Sequence, residues 1–280
     1  MSGPLKLTGF WLACLGLGLG AGWLWPQPAA RLTFLSVGQG DCAVFQEAGA
    51  TILVDVGPAN PHIDAGARIV VPRLLAQGAG RVDLVFLTHP DGDHIGGLRS
   101  VLRTFPGARV AVSAAFRHSG KMRSYLAAAG VSERDVLWLI STRARVGAFQ
   151  MTVDCPPVGP WDPDNDGSLF IRLSNQSSSA VLTGDASEKA EWAEAALSSW
   201  RSDVMKVGHH GSRTSSSEEW IAAVHPRVAV ISCGSGNLFG HPHAAVLARL
   251  AQAGVEVHRT DLEGDLSFVA TPGGFRLASR

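Results

Sequence analysis

The sequence has no excess of charge of either sign, because 24 lysines and arginines balance 24 aspartates and glutamates. No overall positive field therefore attracts nucleic acid, and such a substrate would have to be held by metal ions and local contacts. Cysteine is also scarce, and the four thiols form no C-x-x-C pair, which argues against a zinc knuckle or a disulfide framework. No short tandem repeat is visible, so a repeat architecture is not indicated.

The chain does contain enough hydrophobic material for one large core. Hydrophobic residues make up 46% of the 280 positions and charged residues 17%. Because α/β folds of this length often form a single domain, we expect one globular domain over residues 31–280. Residues 1–30 form a separate segment.

This first segment has the pattern of a membrane helix or a secretory signal. Residues 7–25 carry no charge, follow Lys6, and end in Trp23 and Trp25. The candidate cleavage site has Pro28 where a small residue belongs, which favours an uncleaved anchor. With Lys6 in the cytoplasm, residues 31 onward would lie outside the cytoplasmic membrane. Cleavage would instead give a secreted or periplasmic domain.

Strand-like and helix-like segments alternate through the rest of the chain. Three closely spaced strands with glycine turns over residues 32–56 predict a β meander. Helices are predicted near residues 69–75, 98–104, 121–129, 188–197, 218–223 and 244–253, and strands near residues 82–87, 110–112, 136–140, 149–153, 169–173, 180–182, 204–207, 228–232, 255–258 and 266–269. Both halves place polar residues at strand ends, which predicts two sheets packed between helices with a site along one edge.

The most informative stretch follows the apolar run of residues 82–87. Two imidazoles and two carboxylates lie within six residues there, at His89, Asp91, Asp93 and His94. Ionised carboxylates beside a buried strand carry a desolvation penalty of several kcal/mol, which a divalent cation would relieve. A polar turn is the alternative, but a turn needs aspartate and glycine without needing two histidines. The stretch therefore predicts a metal site.

Other predicted strands also end in polar residues, at Asp55, Asp185, His209-His210 and His241. The order resembles the metallo-β-lactamase superfamily, and within it the ComEC-type metallo-hydrolase domains of bacterial DNA uptake. The resemblance is carried by residues 34–41, 53–57, 87–97, 182–185, 206–212 and 239–242. It covers about residues 31–270. It implies an α/β fold, the αββα sandwich of two mixed sheets flanked by helices, preceded here by one N-terminal hydrophobic helix.

The resemblance also implies a ligand set for two divalent ions: His89, Asp91, Asp93, His94, Asp185, and either His209 or His210. The first two would hold one ion, the next two the other, and Asp185 would bridge. Asp55 would orient ligands through hydrogen bonds, and Asp41 survives in a nearby turn that has Ser36 where the subgroup has aspartate. The histidine that many members carry before the Thr-Gly-Asp element is absent. Asn165 or Asp166 could supply an oxygen there, with a plain Asx turn as the alternative.

Asp91 stands where most superfamily members have a second histidine. A carboxylate in that place favours harder cations, so Mn²⁺ and Mg²⁺ join Zn²⁺ as candidates. Two cations about 3.5–4 Å apart can activate water and clamp the attacking and leaving oxygens of a phosphodiester. Asp93 and Asp185 are then predicted to be catalytic. Phosphate contact or leaving-group protonation is predicted for Lys206, Ser212, Thr214 and His241, with a solvated strand residue as the alternative for Lys206.

These observations favour a metal-dependent nuclease that degrades DNA, with single-stranded DNA as its substrate, during competence-linked uptake. A small-substrate hydrolase for a phosphodiester, lactam or lactone is an alternative, because the fold hosts many substrates. A DNA-binding module that does not cut is another. ComEC proteins carry a polytopic membrane domain, so a chain with at most one span would act as a separate subunit. The small-residue faces Gly16-x-x-x-Gly20 and Gly18-x-x-x-Gly22 would suit docking on a channel protein. A glycine-rich signal peptide is the alternative.

Overall fold

The computed structural model describes residues 29–156, 164–197 and 199–279. The predicted helix of residues 7–25 and its glycine faces lie outside these ranges. Within them, no helix has both the length and the apolar character needed to cross a bilayer.

Fifteen strands within these residues form two sheets. They are β1 (Arg31–Phe34), β2 (Ala43–Glu47), β3 (Ala50–Val54), β4 (Leu84–Leu87), β5 (Arg109–Ser113), β6 (Val136–Leu139), β7 (Thr142–Val146), β8 (Phe149–Asp154), β9 (Phe170–Ser174), β10 (Ser179–Leu182), β11 (Val204–Lys206), β12 (Val228–Ile231), β13 (Glu256–Arg259), β14 (Leu266–Thr271) and β15 (Gly274–Leu277). One sheet has the order β15-β14-β1-β2-β3-β4-β5-β6 and the other β13-β12-β11-β10-β9-β8-β7. Both sheets mix parallel and antiparallel pairs.

Helices cover the outer faces of the two sheets. They are α1 (Val71–Ala76), α2 (Gly92–Ile95), α3 (Leu98–Thr104), α4 (Gly120–Ala128), α5 (Glu188–Leu197), α6 (Glu218–Val224), α7 (Ala244–Gln252) and α8 (Thr260–Glu263). A one-turn π-helix, Gly66–Val70, precedes α1, and 3₁₀ turns span Ala114–Phe116, Glu133–Asp135 and Gly208–Gly211.

The layers follow from where the apolar side chains lie. Between the sheets, a cluster of buried residues includes Phe45 and Phe149, whose rings meet edge to face at 5.1 Å. A second cluster joins α1, α3 and α4 to the outer face of the first sheet, and a third joins α6 and α7 to the second sheet. Strand β4 reads as a continuous apolar run because both of its faces are covered.

Parallel pairing brings the chemistry-bearing loops to one edge. Strands β3, β4 and β5 run parallel, as do β10, β11 and β12. The carboxyl ends of parallel strands meet at the same edge, where ligand sites of α/β sheets lie. Asp55 follows β3, His89 follows β4, Asp185 follows β10 and His209 follows β11.

The predicted αββα sandwich is confirmed for residues 29–156, 164–197 and 199–279. Two strands had no counterpart in the sequence prediction, β7 and β15. Strand β7 has the sequence Thr-Arg-Ala-Arg-Val, lies at the edge of its sheet, and is exposed along most of its length. Its arginines alternate with Ala144 and Val146, but Val146 is its one large apolar side chain, which leaves little hydrophobic signal from which to predict a strand.

Candidate metal centre

The loop after β4 delivers two buried imidazoles to the sheet edge. His89 and His94 are both completely buried, and their ring centroids lie 4.2 Å apart. Asp91 directly precedes α2, and its carbonyl accepts hydrogen bonds from the backbone N–H groups of His94 and Ile95, both at 3.0 Å. This tight turn of helix places the two histidines of the motif side by side.

Asp55 sets the orientation of both rings. Its carboxylate accepts from the Thr88 N–H at 2.9 Å, the Thr88 Oγ1 hydroxyl at 2.8 Å and His94 Nδ1 at 2.8 Å. Since the Thr88 hydroxyl donates to Asp55, the hydroxyl oxygen accepts from His89 Nδ1, 3.0 Å away. Both histidines therefore use Nδ1 for these hydrogen bonds and turn Nε2 toward the site, as metal-binding imidazoles do.

Replacing Asp55 with alanine is expected to lower divalent-metal affinity by about 10- to 100-fold, because ligands that lose their orienting partner bind metals more weakly. Calorimetric titration of Mn²⁺ into the folded variant measures this. The matched control is Asp83→Ala, since the Asp83 carboxylate also accepts a backbone N–H, from Thr51 at 2.9 Å, but lies before β4 at the opposite end of the strand. Equal affinity in the two variants would contradict the orienting role.

Asp185 lies at the centre of the site. Its Oδ1 is 3.2 Å from His94 Nε2, and its Oδ2 is 3.4 Å from His210 Nε2 and 3.7 Å from His209 Nε2. His89 Nε2 lies 4.0 Å from the same Oδ2. A single buried carboxylate therefore lies within 4.0 Å of four imidazoles.

His209 and His210 point to different parts of the site. Both have left-handed backbone angles, φ 46° and 54°, within the turn Gly208–Gly211. His210 is buried, donates from Nδ1 to the Ser232 carbonyl at 2.9 Å, and turns Nε2 toward Asp93 Oδ2 at 3.2 Å. The side chain of His209 is 29% exposed and reaches only Asp185 among these carboxylates. Of the two, His210 lies with Asp93, His94 and Asp185. His209 lies at the solvent-exposed opening of the site, which we call the mouth.

A second group of ligand atoms, those of His89 and Asp91, also lies near Asp185. Asp91 Oδ2 is 3.6 Å from His89 Nε2. The nearby His89 ring outweighs the effect of burial and, with Lys121, keeps the pKa of Asp91 well below its usual range. The pair lies beside Asp185, which is the arrangement predicted for a first metal.

The donor set fits a divalent cation. Asp41, His94, Asp185 and His210 each offer a ligand atom, all within 4.8 Å of one another, and all four are buried. Among the described residues, His89 Nε2, His94 Nε2 and Asp185 Oδ1 are buried without a hydrogen-bond partner. Buried polar atoms are normally satisfied by hydrogen bonds, so three ligand atoms that lack one and cluster around Asp185 fit a site that a cation completes.

Asp41 belongs to that group of four, but its contacts favour a supporting position. It lies 3.4 Å from His210 Nδ1 and 3.8 Å from His94 Nδ1, the nitrogens that face away from Asp185. It is also paired with Lys206, at 2.5 Å. Asp93, in contrast, approaches His210 at Nε2. On this geometry Asp93 lies on the Nε2 side of His210, and Asp41 lies on the Nδ1 side of His94 and His210.

Glycine brings the Asp41 turn against the metal motif. Gly40 has φ +144°, and a Cβ there would lie 2.3 Å from the backbone oxygen of Asp93. Only a residue without a side chain permits this approach, in which the Asp41 N–H donates to that oxygen at 3.2 Å. The glycine turn of residues 38–41 and the His89–His94 motif thus pack together.

Lys206 is buried rather than solvated, with 3% exposure. Its ammonium pairs with Asp41 and donates to the Gly184 carbonyl at 3.2 Å. Burial alone would lower its pKa, but Asp41 and Asp185 raise it above its usual value, so the side chain is charged. The Lys206 ammonium therefore links the Asp41 turn to the Gly184 backbone next to Asp185.

Lys121 is a site residue that the sequence did not indicate. From the start of α4, its ammonium contacts Asp91 Oδ1 and lies 3.2 Å from Asp164. Its side chain is 46% exposed. Lys121 comes 30 residues after Asp91 and belongs to no motif, so only the packing of α4 against the sheet edge reveals it.

The remaining predicted residues lie around the mouth or behind it. Ser212 and Thr214 share a hydrogen bond of 3.1 Å between their hydroxyls. Asp166 is buried and accepts from the Ser187 hydroxyl. The Asn165 carbonyl accepts the Ser168 N–H at 3.0 Å in a turn. Neither the Ser187–Asp166 hydrogen bond nor the turn at Asn165 involves the buried histidines.

His241 joins the site from the loop after β12. Its ring centroid lies 5.8 Å from that of His209 and 6.4 Å from that of His210. Burial, followed by the two neighbouring histidines, lowers its pKa below the usual value. His241 is therefore a neutral imidazole beside His209.

Glu191 braces the loop that follows the histidine pair. This fully buried carboxylate of α5 accepts from the Ser216 N–H at 2.7 Å and the Ser217 N–H at 2.9 Å. Ser216 Oγ in turn accepts from the Gly208 N–H at 3.2 Å, and Ser215 Oγ donates to the Gly208 carbonyl at 2.7 Å. Glu191 thus supports the turn that carries His209 and His210.

Burial raises the pKa of Glu191 to about 7, against the two backbone donors that lower it. Because the folded protein holds this proton more tightly than the unfolded chain, the carboxyl stabilises the fold fully at pH values below its unfolded pKa of 4.5. This stabilisation is lost as the pH rises through the folded pKa of about 7. Relative to Glu191→Gln, the wild-type free energy of unfolding is expected to fall by roughly 3 kcal/mol across that window. Urea denaturation at pH 4.5, 6 and 8 measures the difference. Parallel pH profiles for the two proteins would contradict it.

Comparison with known proteins agrees with this arrangement. The model of the metallo-beta-lactamase superfamily matches residues 35–235. ComE operon protein 3 of Bacillus subtilis is 30% identical over 85% of this chain and 33% of its own length. Competence protein ComA of Neisseria gonorrhoeae is 30% identical over 90% and 34%, and Recombination protein 2 of Haemophilus influenzae is 30% identical over 86% and 29%. The chain thus spans about a third of the length of these relatives.

Solved structures support the fold. YhfI of Bacillus subtilis, a metallo-beta-lactamase fold protein, superposes with a TM-score of 0.55 at 12% identity, covering 82% of this chain and 96% of its own. CmlA of Streptomyces venezuelae, a diiron beta-hydroxylase, gives 0.58 at 15% identity, with 87% and 55% covered. The predicted resemblance, including that to competence proteins, is confirmed. The chain belongs to the metallo-β-lactamase superfamily.

Proposed function

We propose that this protein is a metal-dependent phosphodiesterase that hydrolyses single-stranded DNA outside the cytoplasmic membrane, in the course of competence-linked DNA uptake. The similarity to a competence protein supports the biological setting. The same setting calls for an extracytoplasmic domain, which agrees with the membrane anchor predicted over residues 1–30. A separate channel protein in the membrane is the partner that uptake would require.

The observation that carries the proposed chemistry is the number of carboxylates at the centre. Three carboxylates that face ligand nitrogens, those of Asp91, Asp93 and Asp185, lie among three buried imidazoles, those of His89, His94 and His210. A donor set with as many carboxylates as imidazoles admits Mn²⁺ or Mg²⁺ as well as Zn²⁺. Such ions serve phosphoryl transfer, and when bound they would polarise the phosphate and generate the nucleophile from water.

The surrounding residues have distinct tasks in this proposal. Asp185 would hold both ions, with His89 and Asp91 on one and Asp93, His94 and His210 on the other. Asp55 fixes the two histidine rings, and the Lys206 ammonium compensates the charge of Asp41, which lies behind His94 and His210.

At the mouth, groups are positioned for the substrate. Lys121 places a partly exposed ammonium beside Asp91, where it can contact a phosphate oxygen. His241 stands next to His209 as a neutral imidazole that can hydrogen-bond the leaving oxygen. Ser212 and Thr214 offer hydroxyls near the same loop.

The substrate class is tested with the purified full chain, Mn²⁺ and linear single-stranded DNA. We expect nucleotides to be released, and the chromogenic cephalosporin nitrocefin to be left intact. Turnover of nitrocefin without nucleotide release would favour a small-substrate hydrolase. DNA binding without cleavage, at full metal loading, would favour a binding module. Either result would overturn the proposal.

A further inference from the structure

An aromatic residue that the proposed chemistry does not use stands at the edge of the metal centre. Phe239 is 70% exposed, although large aromatic side chains are normally buried. Its ring stacks on that of His241, with centroids 5.8 Å apart and planes 26° from parallel. His241 in turn lies beside His209 and His210. The exposed face of Phe239 is therefore connected to the metal ligands through a single ring.

The loop that carries this ring is internally braced. The Asn237 side chain donates to the carbonyls of Gly234 at 2.9 Å and His241 at 2.6 Å, and it accepts the His241 N–H at 3.0 Å. The Gly234 N–H donates to the Gln39 side chain at 3.1 Å, which ties the loop to the first sheet. The ring is therefore presented by a preorganised support, so little ordering is needed when a ligand stacks on it.

We infer that Phe239 is a stacking platform for one nucleobase of a single-stranded substrate, next to the phosphodiester held at the metal centre. The inference rests on the proposed function. Aromatic rings beside a phosphate-binding groove are the usual means of gripping single strands without regard to sequence, because every base has a π face. A chain with zero net charge gains affinity in this way that a positive field does not provide.

Leu238 supplies an internal comparison. It is 99% exposed and adjacent to Phe239, but its aliphatic side chain offers no π face on which a base could stack. A general apolar contact, such as insertion of the loop tip into a lipid bilayer, would use both side chains. Stacking on a base requires only the aromatic side chain. Replacing Phe239 and Leu238 one at a time therefore distinguishes base stacking from a general apolar contact.

The experiment compares Phe239→Ala, Phe239→Leu, Phe239→Trp and the control Leu238→Ala on two substrates. One is an oligothymidylate, and the other is the same strand with a single abasic position next to the cleaved bond. On the oligothymidylate, Phe239→Ala and Phe239→Leu are expected to raise KM about tenfold or more, the usual size of one stacked base. Phe239→Trp is expected to stay near wild type, and Leu238→Ala to have no effect.

On the abasic strand, wild type and Phe239→Ala are expected to have the same KM, because no base is left to stack. An equal loss on both strands, or an equal loss in Leu238→Ala, would overturn the inference. So would unchanged KM in Phe239→Ala alongside weakened binding to phosphatidylglycerol vesicles, which would assign the loop to a membrane. If wild type cleaves DNA normally while Phe239→Ala matches it, only the platform fails. If wild type cleaves neither strand, the proposed function itself fails.

Discussion

Asp185→Asn is expected to lower the rate of single-stranded DNA hydrolysis by about 10³-fold or more, equivalent to roughly 4 kcal/mol of transition-state stabilisation. The substitution keeps the shape of the side chain but removes the charge that faces His94, His209 and His210. An amide in that place leaves both predicted metals without their shared ligand. Metal analysis of the purified variant should accordingly show less than the wild-type content.

Asp203→Asn is the matched control for this effect. The Asp203 carboxylate accepts the Ser179 N–H at 2.8 Å and lies just before β11, at the end of the sheet opposite the metal centre. We expect it to retain DNA hydrolysis. Wild-type activity and metal content in a folded Asp185→Asn variant would contradict the central position of this carboxylate.

Lys206→Met is expected to lower the free energy of unfolding by about 3–5 kcal/mol, because it leaves the buried Asp41 carboxylate without its cation. Urea denaturation in the presence of a chelator measures this effect without a contribution from bound metal. The surface pair of Arg73 and Asp265 provides a control, since the Arg73 side chain is 57% exposed. Arg73→Met is expected to cost less than about 1 kcal/mol.

The double variant Asp41→Asn/Lys206→Met separates pairing from packing. Removing both charges is expected to cost less than the sum of the two single substitutions, because neither variant side chain leaves a buried charge behind. Strictly additive effects, or a cost of Lys206→Met no larger than that of Arg73→Met, would show that this ion pair does not support the site.

The site residues that could be predicted from the sequence are those that directly follow a strand. His89 to His94, Asp185 and His209-His210 each follow an apolar run within a few residues. Since parallel strands share an edge at their carboxyl ends, strand recognition alone was enough to bring them together. The supporting position of Asp55 followed from the resemblance, and the structure gives it three hydrogen bonds that perform that task.

Other features depend on packing between distant segments. The approach of Lys121 to Asp91 depends on how α4 docks, and no local pattern encodes that distance. The burial of Lys206 was equally open in the sequence, because a lysine at a strand end is compatible with water or with a partner such as Asp41. Which histidine of the pair turns inward was left open as well. It depends on left-handed backbone angles held by the Ser215–Ser217 loop, whose contact with Glu191 is 25 residues away in sequence.

The central claim is that DNA hydrolysis depends on two divalent ions at this sheet edge. The most direct test is the rate of nucleotide release from linear single-stranded DNA as Mn²⁺ is titrated into the chelator-treated full chain. We predict that the rate rises as about two ions bind per chain, returns to zero with EDTA, and is lost in Asp93→Asn. Hydrolysis that persists in EDTA or in Asp93→Asn, or no hydrolysis once the ions are bound, would contradict the claim.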